Sequence, residues 1–239
     1  MSLKDDISNS VNSILDNDMI ITDTSCVPDI NDTSLTFGLI GKRFKSVSLY
    51  IDLRGSTAIL EKHNSNVVIK IHKSYFITIV KIVRNRGGEV RSFNGDSILA
   101  FFPGDDSSTI ENAVRVAMEL KFMLLVDANS LKSKVARKYN TNIDIGIGLD
   151  IGSTTVAKVG MSGYNNQDLI WTGSNVNRAV KISDVRRANE NIGISKRLYD
   201  RLTNSVKFHE STNMWKGEYY TYNGSGELQY KTSYYWSLG

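Results

Sequence analysis

One cysteine in 239 residues, Cys26, excludes an intrachain disulfide framework, so the fold must rest on its core alone. No apolar run reaches the ~20 residues of a membrane-spanning helix, and no signal sequence is recognisable at the N-terminus. The three histidines, His63, His72 and His209, have no metal-ligand spacing, which leaves zinc chemistry without a ligand set. Only two prolines, Pro28 and Pro103, interrupt the chain, and it has no repeat or low-complexity tract. Charge of one sign is also lacking: 29 basic against 25 acidic residues leave +4, too small an excess to argue for nucleic acid. Basic pairs such as Lys132/Lys134 and Arg186/Arg187 read as solvated helix faces. The absences predict a cytoplasmic globular protein that neither inserts into membranes nor binds nucleic acid, and 41% hydrophobic residues suffice for a sizeable core.

Residues 1–44 differ in texture from the rest. DNDMIITDTSCVPDINDTS is rich in Asp, Asn, Ser and Thr, preceded by a short amphipathic pattern over 3–15, and the segment reads as an N-terminal arm to a single domain over 45–239. From Ser46 the order becomes regular: a strand over 46–53, then helical sequence, then a long helix over about 66–85 that Gly87-Gly88 stops. GEVRSFNGDSILAFFPG holds two β-rich runs joined by Asn94-Gly95, the pair that a type I′ hairpin favours, which would set Phe93 opposite Asp96. A helix over about 108–128 precedes NIDIGIGLDIGSTTVAKVG, read as two strands separated by a glycine bend at 152. A helix over about 174–188, a strand at 192–194, a helix over 196–202 and aromatic strands up to Trp236 complete an α/β sandwich: a mostly antiparallel sheet with helices on one side.

The stretch SVSLYIDLRGST, residues 46–57, poses the chemical question. Burying an unpaired carboxylate is costly, so Asp52 at the end of an apolar strand demands a metal, a basic partner or a cap. A second carboxylate, Asp96, stands at the hairpin tip. Two such aspartates, taken alone, are more often structural than catalytic. They are also what a two-metal phosphoryl-transfer site requires.

Three motifs in order resolve the choice. YIDLRGST, FNGDSILAFF and GSNVNRAVK resemble the first-metal motif, the hairpin Gly-Asp motif and the helix-opening Gly-x-x-Val-Asn-x-x-x-Arg motif of the class III nucleotidyl cyclases, covering about 46–200. The resemblance implies the class III catalytic fold, with a ferredoxin-like core, and attack of a ribose 3′-hydroxyl on the α-phosphate of a nucleoside triphosphate. It further implies that Asp52, Asp96 and the carbonyl of Leu53 hold two divalent ions, Mn²⁺ or Mg²⁺, and that the backbone of Gly55, Ser56 and Thr57 cradles phosphates. Asn177 would come from the other chain of a head-to-tail homodimer with composite sites. The chain departs from the family in three places: Lys181 stands where the transition-state arginine is usual, with Arg178 nearby; Ser56 replaces a phenylalanine; and Ser225 replaces the phosphate-binding lysine, for which Lys216 and Lys231 are both candidates. Gly87-Gly88-Glu89-Val90 resembles a diguanylate cyclase signature but sits at a helix end and reads as a C-cap.

Neither purine code is present: Ser92 stands four before the hairpin aspartate and Ile170 three before the helix-opening glycine. Tyr50 replaces a common phenylalanine, and period-two alternation puts it on the face of Asp52. This pattern resembles the pyrimidine cyclases of the bacterial anti-phage system Pycsar, whose product activates a separate effector. No residue discriminates an O4 acceptor from an N4 donor, so UTP and CTP both stay open, and overall resemblance favours UTP. An adenylate cyclase with unusual base contacts and a degenerate nucleotide-binding domain are the alternatives.

Overall fold

Every second residue from Val47 to Leu53 is apolar, and the alternation builds the central strand. In the computed structural model, which describes residues 1–161, 163, 166–184, 189–222 and 224–238, strand β2 spans Ile40–Arg54. It starts six residues before the expected 46, because β1 (Ile20–Asp23) pairs with its first residues in parallel. Val47, Leu49, Ile51 and Leu53 point into the main core and are at most 1% exposed, whereas Ser46, Ser48, Tyr50 and Asp52 occupy the other face.

The exposed helix α1 (Leu3–Leu15) leads into β1, and the short α2 (Ser56–Lys62) follows β2. Next comes α3 (Ser65–Asn85), which buries Val68, Ile71, Tyr75, Ile79 and Val83 on the main core. Strands β3 (Glu89–Asn94) and β4 (Ser97–Pro103) form the hairpin. Its turn is one residue later than expected: Asn94 pairs with Ser97, so Gly95 and Asp96 are the central residues. Only Gly95 has positive φ (62°), as a II′-type turn requires at its first central position, and Asp96 is thereby placed in the turn itself.

Helix α4 (Ser107–Lys121) continues as a π-helical turn over Phe122–Val126, and α5 (Leu131–Tyr139), absent from the sequence reading, precedes β5 (Asp144–Gly160). Strand β5 is one 17-residue strand, and no bend divides it at Gly152, which stays in register opposite Ser46. β6 (Gln167–Thr172) pairs with the end of β5, and α6 covers Ser174–Asp184; the rest of the helix expected to 188, including Arg186/Arg187, lies outside the described residues. The remaining elements are β7 (Ile192–Ser195), α7 (Lys196–Tyr199, one turn rather than the expected two), α8 (Asn204–Lys207), the β8 (Phe208–His209) and β9 (Thr212–Asn213) pair, and the hairpin β10 (Lys216–Tyr222) and β11 (Ser225–Thr232). The sheet runs β10-β11-β7-β5-β2-β4-β3, with β1 on β2 and β6 on β5; only β1/β2 and β5/β7 are parallel.

Helices lie on both faces, not on one as expected. On β5, Ile145, Ile147, Leu149 and Ile151 feed the main core, while Gly146, Gly148 and Gly152 alternate with them on the opposite face. Helix α6 lies directly on these glycines: a Cβ on Gly148 would overlap the carbonyl oxygen of Ala179, and one on Gly146 that of Ser183. Backbone atoms of a helix cannot yield as a side chain can. Gly148→Ala is therefore expected to cost about 3 kcal/mol or more, read as a lower midpoint in chemical denaturation; an unchanged midpoint would contradict this packing.

Candidate active site

The cross-strand register assembles two rows of side chains on the α6 face. Tyr50 lies opposite Leu99, and Leu99 opposite Ser92; one step further, Asp52 lies opposite Ser97, and Ser97 opposite Asn94. Residues directly opposite share a face, so Tyr50 and Asp52 do stand together. Ser92 belongs to the same face but is two strands from Tyr50, with buried Leu99 between them, and its hydroxyl donates to Asn94 Oδ1 at 3.1 Å. The Tyr50 hydroxyl is 2.5 Å from Ser97 Oγ. Ser97, which the sequence reading passed over, becomes visible once the hairpin register is known.

Asp52 and Asp96 are brought together by the hairpin. The Leu53 N–H donates to the Asp96 carbonyl at 3.3 Å, closing the end of the β2/β4 ladder. A strand residue's N–H and C=O face the same edge, so the Leu53 carbonyl is directed to the hairpin side as well. Asp52 is pushed up to about 6, by burial first and then by the negative charges of Asp96 and Asp184, with Arg54 opposing. Burial, offset in part by the bond to Ser97, likewise raises Tyr50. This mutual crowding of carboxylates is what bound cations relieve, and two carboxylates with a backbone carbonyl are hard oxygen donors suited to Mg²⁺ or Mn²⁺. Among the described residues no group of three or more His, Cys, Asp or Glu side chains is placed to hold a metal ion.

Gly55 takes the left-handed conformation (φ 75°) and turns the chain from β2 into α2, whose first residues, Ser56 and Thr57, have no side-chain cap. The loop thus begins within three residues of Asp52. Arg54 is buried, donating to Asp144 at 3.3 Å and to the Ser183 carbonyl at 3.0 Å, which ties the end of β2 to the last turn of α6.

On α6 the proposed residues divide. Asn177, Lys181 and Asp184, at i, i+4 and i+7, form one exposed stripe opposite the buried Val176, Ala179 and Ile182. Asp184, missed from the sequence, extends the stripe of the two residues singled out there. Arg178 lies off this stripe: its guanidinium donates to Glu227 at 2.8 Å and stands 3.9 Å from the fully buried Asp150, whose carboxylate also receives Arg197 Nε at 2.7 Å. Lys231 is buried, its ammonium donating to the Ile182 carbonyl at 2.8 Å, while Lys216 is exposed beside Glu218. Ile170 is exposed on β6, pointing away from Leu169 and Trp171, which pack in the smaller core.

Known proteins resemble this chain in sequence and in fold. The family described as "Adenylate and Guanylate cyclase catalytic domain" matches residues 40–232. Over its whole length the chain is 29% identical to a protein of Xanthomonas perforans named uridylate cyclase and 25% identical to one of Burkholderia cepacia with the same name, covering 100% of both chains in each case. In fold it is similar to the crystal structure of the adenylyl cyclase CyaB from P. aeruginosa, at a TM-score of 0.67 and 22% identity over 80% of this chain and 95% of that one. No helix among the described residues is long and apolar enough to cross a membrane. With a family match over most of its length and the carboxylate pair at the hairpin, this chain belongs to the class III nucleotidyl cyclases.

Proposed function

We propose that this protein is a uridylate cyclase, closing the ribose 3′-hydroxyl of UTP onto its own α-phosphorus to give 3′,5′-cyclic UMP and pyrophosphate. The observation that carries the reading is the end-to-end similarity to proteins named uridylate cyclases, which extends through the N-terminal 39 residues that the family match omits. Tyr50 on the Asp52 face supports it with a ring and a hydroxyl for a small polar base. The product would serve as a second messenger of bacterial anti-phage defence in the cytoplasm, acting on a separate effector. Residues 45–239 would form the catalytic domain, with 1–44 as an arm tied to it through β1.

Asp52, Asp96 and the Leu53 carbonyl would hold two Mn²⁺ or Mg²⁺ ions. Such ions, when bound, neutralise the triphosphate and acidify the attacking hydroxyl. The backbone N–H groups at Gly55, Ser56 and Thr57 would donate to β- and γ-phosphate oxygens. Asn177 would orient the ribose, and Lys181 would balance charge at the α-phosphate as a point donor. Arg178, held by Glu227 beside Asp150, would serve the fold instead. Ser92 and Ile170 would border the base without a purine-reading group. Because the Asn177/Lys181 stripe faces away from its own sheet, it would serve a site completed by a second copy, two equivalent sites per homodimer.

Three measurements test this reading. Purified protein incubated with each of the four ribonucleoside triphosphates and Mn²⁺ is expected to convert UTP to cyclic UMP, and Asp52→Ala to abolish conversion, with products resolved by chromatography. Equal turnover of CTP or ATP would sink the base assignment; activity retained in Asp52→Ala would sink the metal assignment. An equimolar mixture of Asp52→Ala and Asn177→Ala chains, each inactive alone, should recover about a quarter of the wild-type rate, since half the dimers are mixed and each holds one intact site; no recovery would refute the composite site.

The third measurement uses pH. Asp52 is raised in the folded, metal-free protein from 3.8 to about 6, so its ionisation opposes folding and stability falls as pH rises between those values. Asp52→Asn should accordingly raise the melting temperature of metal-free protein by a few degrees at pH 7.5 and leave it unchanged at pH 4. An equal effect at both values would exclude the charge as the cause.

A further inference from the structure

The segment joining β1 to β2, residues 24–39, has little regular structure of its own, yet it is fastened at several points. Asx turns shape it: Asp29 Oδ1 accepts from the Asn31 N–H and Asp32 Oδ1 from the Ser34 N–H, both at 3.0 Å. Lys42 of β2 donates to Asp32 at 2.7 Å. Its two apolar anchors, Val27 and Leu35, are 7% and 1% exposed and belong to the smaller core formed with Phe44, Leu99, Phe101, Val156, Leu169 and Val176, against which Tyr50 also packs. This strap therefore lies on the sheet face that carries Tyr50 and Asp52.

A bulge in β3 holds the strap down. Val90 pairs with Ala100 and Ser92 with Leu99, which leaves Arg91 as the extra residue of the strand. Its guanidinium, largely buried, donates from Nε to the Pro28 carbonyl at 2.8 Å and from Nη2 to the Val27 carbonyl at 2.9 Å, while Nη1 donates to Glu89 at 2.9 Å. A fork bonded to two successive carbonyls fixes backbone direction as a lysine could not. The same extra residue sets Ser92 in the Tyr50–Leu99–Ser92 row; a one-residue slip would turn Ser92 to the other face. One irregularity thus determines both the strap's attachment and the row of side chains beside the first carboxylate.

We propose that residues 24–39, fastened by Arg91 and anchored by Val27 and Leu35, back the wall on which the pyrimidine rests, with Arg91 and Leu35 as positioning residues that hold Tyr50 and so set discrimination for the base. The inference rests on the reading of Tyr50 as a base contact. A strap that supports one wall should affect the affinity for the base and leave the affinity for the phosphates alone.

The test uses full-length protein and two probes with Mn²⁺: 3′-deoxy-UTP, which lacks the attacking hydroxyl, and inorganic tripolyphosphate, which lacks the base. Titration calorimetry of Arg91→Gln and Leu35→Ala is expected to give an approximately tenfold weaker affinity for 3′-deoxy-UTP and a change below about twofold for tripolyphosphate, with Arg91→Lys intermediate. In steady state the KM for UTP should rise more than kcat falls. Should Arg91→Gln fail to fold, Leu35→Val gives the same ratio at smaller amplitude. Equal loss for both probes, or no loss for either, overturns the proposal. Tyr50→Phe separates its failure from that of the underlying reading. If Tyr50→Phe weakens 3′-deoxy-UTP and the strap variants do not, the strap has no such role. If the wild type binds 3′-deoxy-UTP no tighter than tripolyphosphate, or Tyr50→Phe is neutral, the base assignment falls and the strap's role with it.

Discussion

The contact between the backbone of α6 and the glycine stripe of β5 governs most of what the molecule presents. With no Cβ at positions 146, 148 and 152, the helix approaches the strand so closely that its own carbonyls at Ala179 and Ser183 take the space side chains would fill. The apolar face of α6 is then consumed against the sheet, and Asn177, Lys181 and Asp184 face outward. A larger residue on β5 would lift the helix and separate its last turn from Arg54, the residue that links α6 to the strand bearing Asp52. Packing, in this way, sets the direction of the polar groups.

Electrostatics divides the same face into two regions. Around Asp52, burial and then the like charges of Asp96 and Asp184 raise its carboxyl, an arrangement that stores no stability and suits a site that receives cations. Around Asp150 the opposite holds: a fully buried carboxylate is satisfied by Arg197, by the Ile151 N–H at 2.8 Å and by the hydroxyl of Ser195, with Arg178 alongside. Removing one partner from such a network strands a buried charge, so it behaves as structure. Arg178 and Lys181, three residues apart, fall in different regions because Glu227 and Asp150 draw the Arg178 guanidinium toward the buried network, while Lys181 stays on the exposed stripe.

The two ends of the chain's regular pattern differ in how readable they are. The long stripe of α3 and the amphipathic 3–15 segment appear as elements at or near their expected limits, and the alternation from Val47 to Leu53 lies within β2, which pairing with β1 extends back to Ile40, because each encodes its own periodicity. The hairpin was legible as a hairpin, but its centre moved from Asn94-Gly95 to Gly95-Asp96. Pairing with β2 fixes the strand register of β4, and the register, not the local dipeptide, selects the turn. Gly152 reads as a bend for the same local reason; in the fold it admits Asn175 and α6, which no neighbouring residue announces.

The sequence by itself determined the chemistry: a strand-end aspartate, a second aspartate in a hairpin, an Asn-bearing helix and a tyrosine two residues ahead of the first carboxylate, all carried by short-range patterns and motif order. The tertiary structure alone decided which groups meet. It placed Leu99 between Tyr50 and Ser92 and Ser97 between Asp52 and Asn94, buried Lys231 beneath α6, gave Arg178 to Glu227, and folded the polar segment at 24–39 onto the face of the site. These are contacts between residues tens of positions apart. Strand register and glycine-sized clearances create them, and neither leaves a periodic trace along the chain.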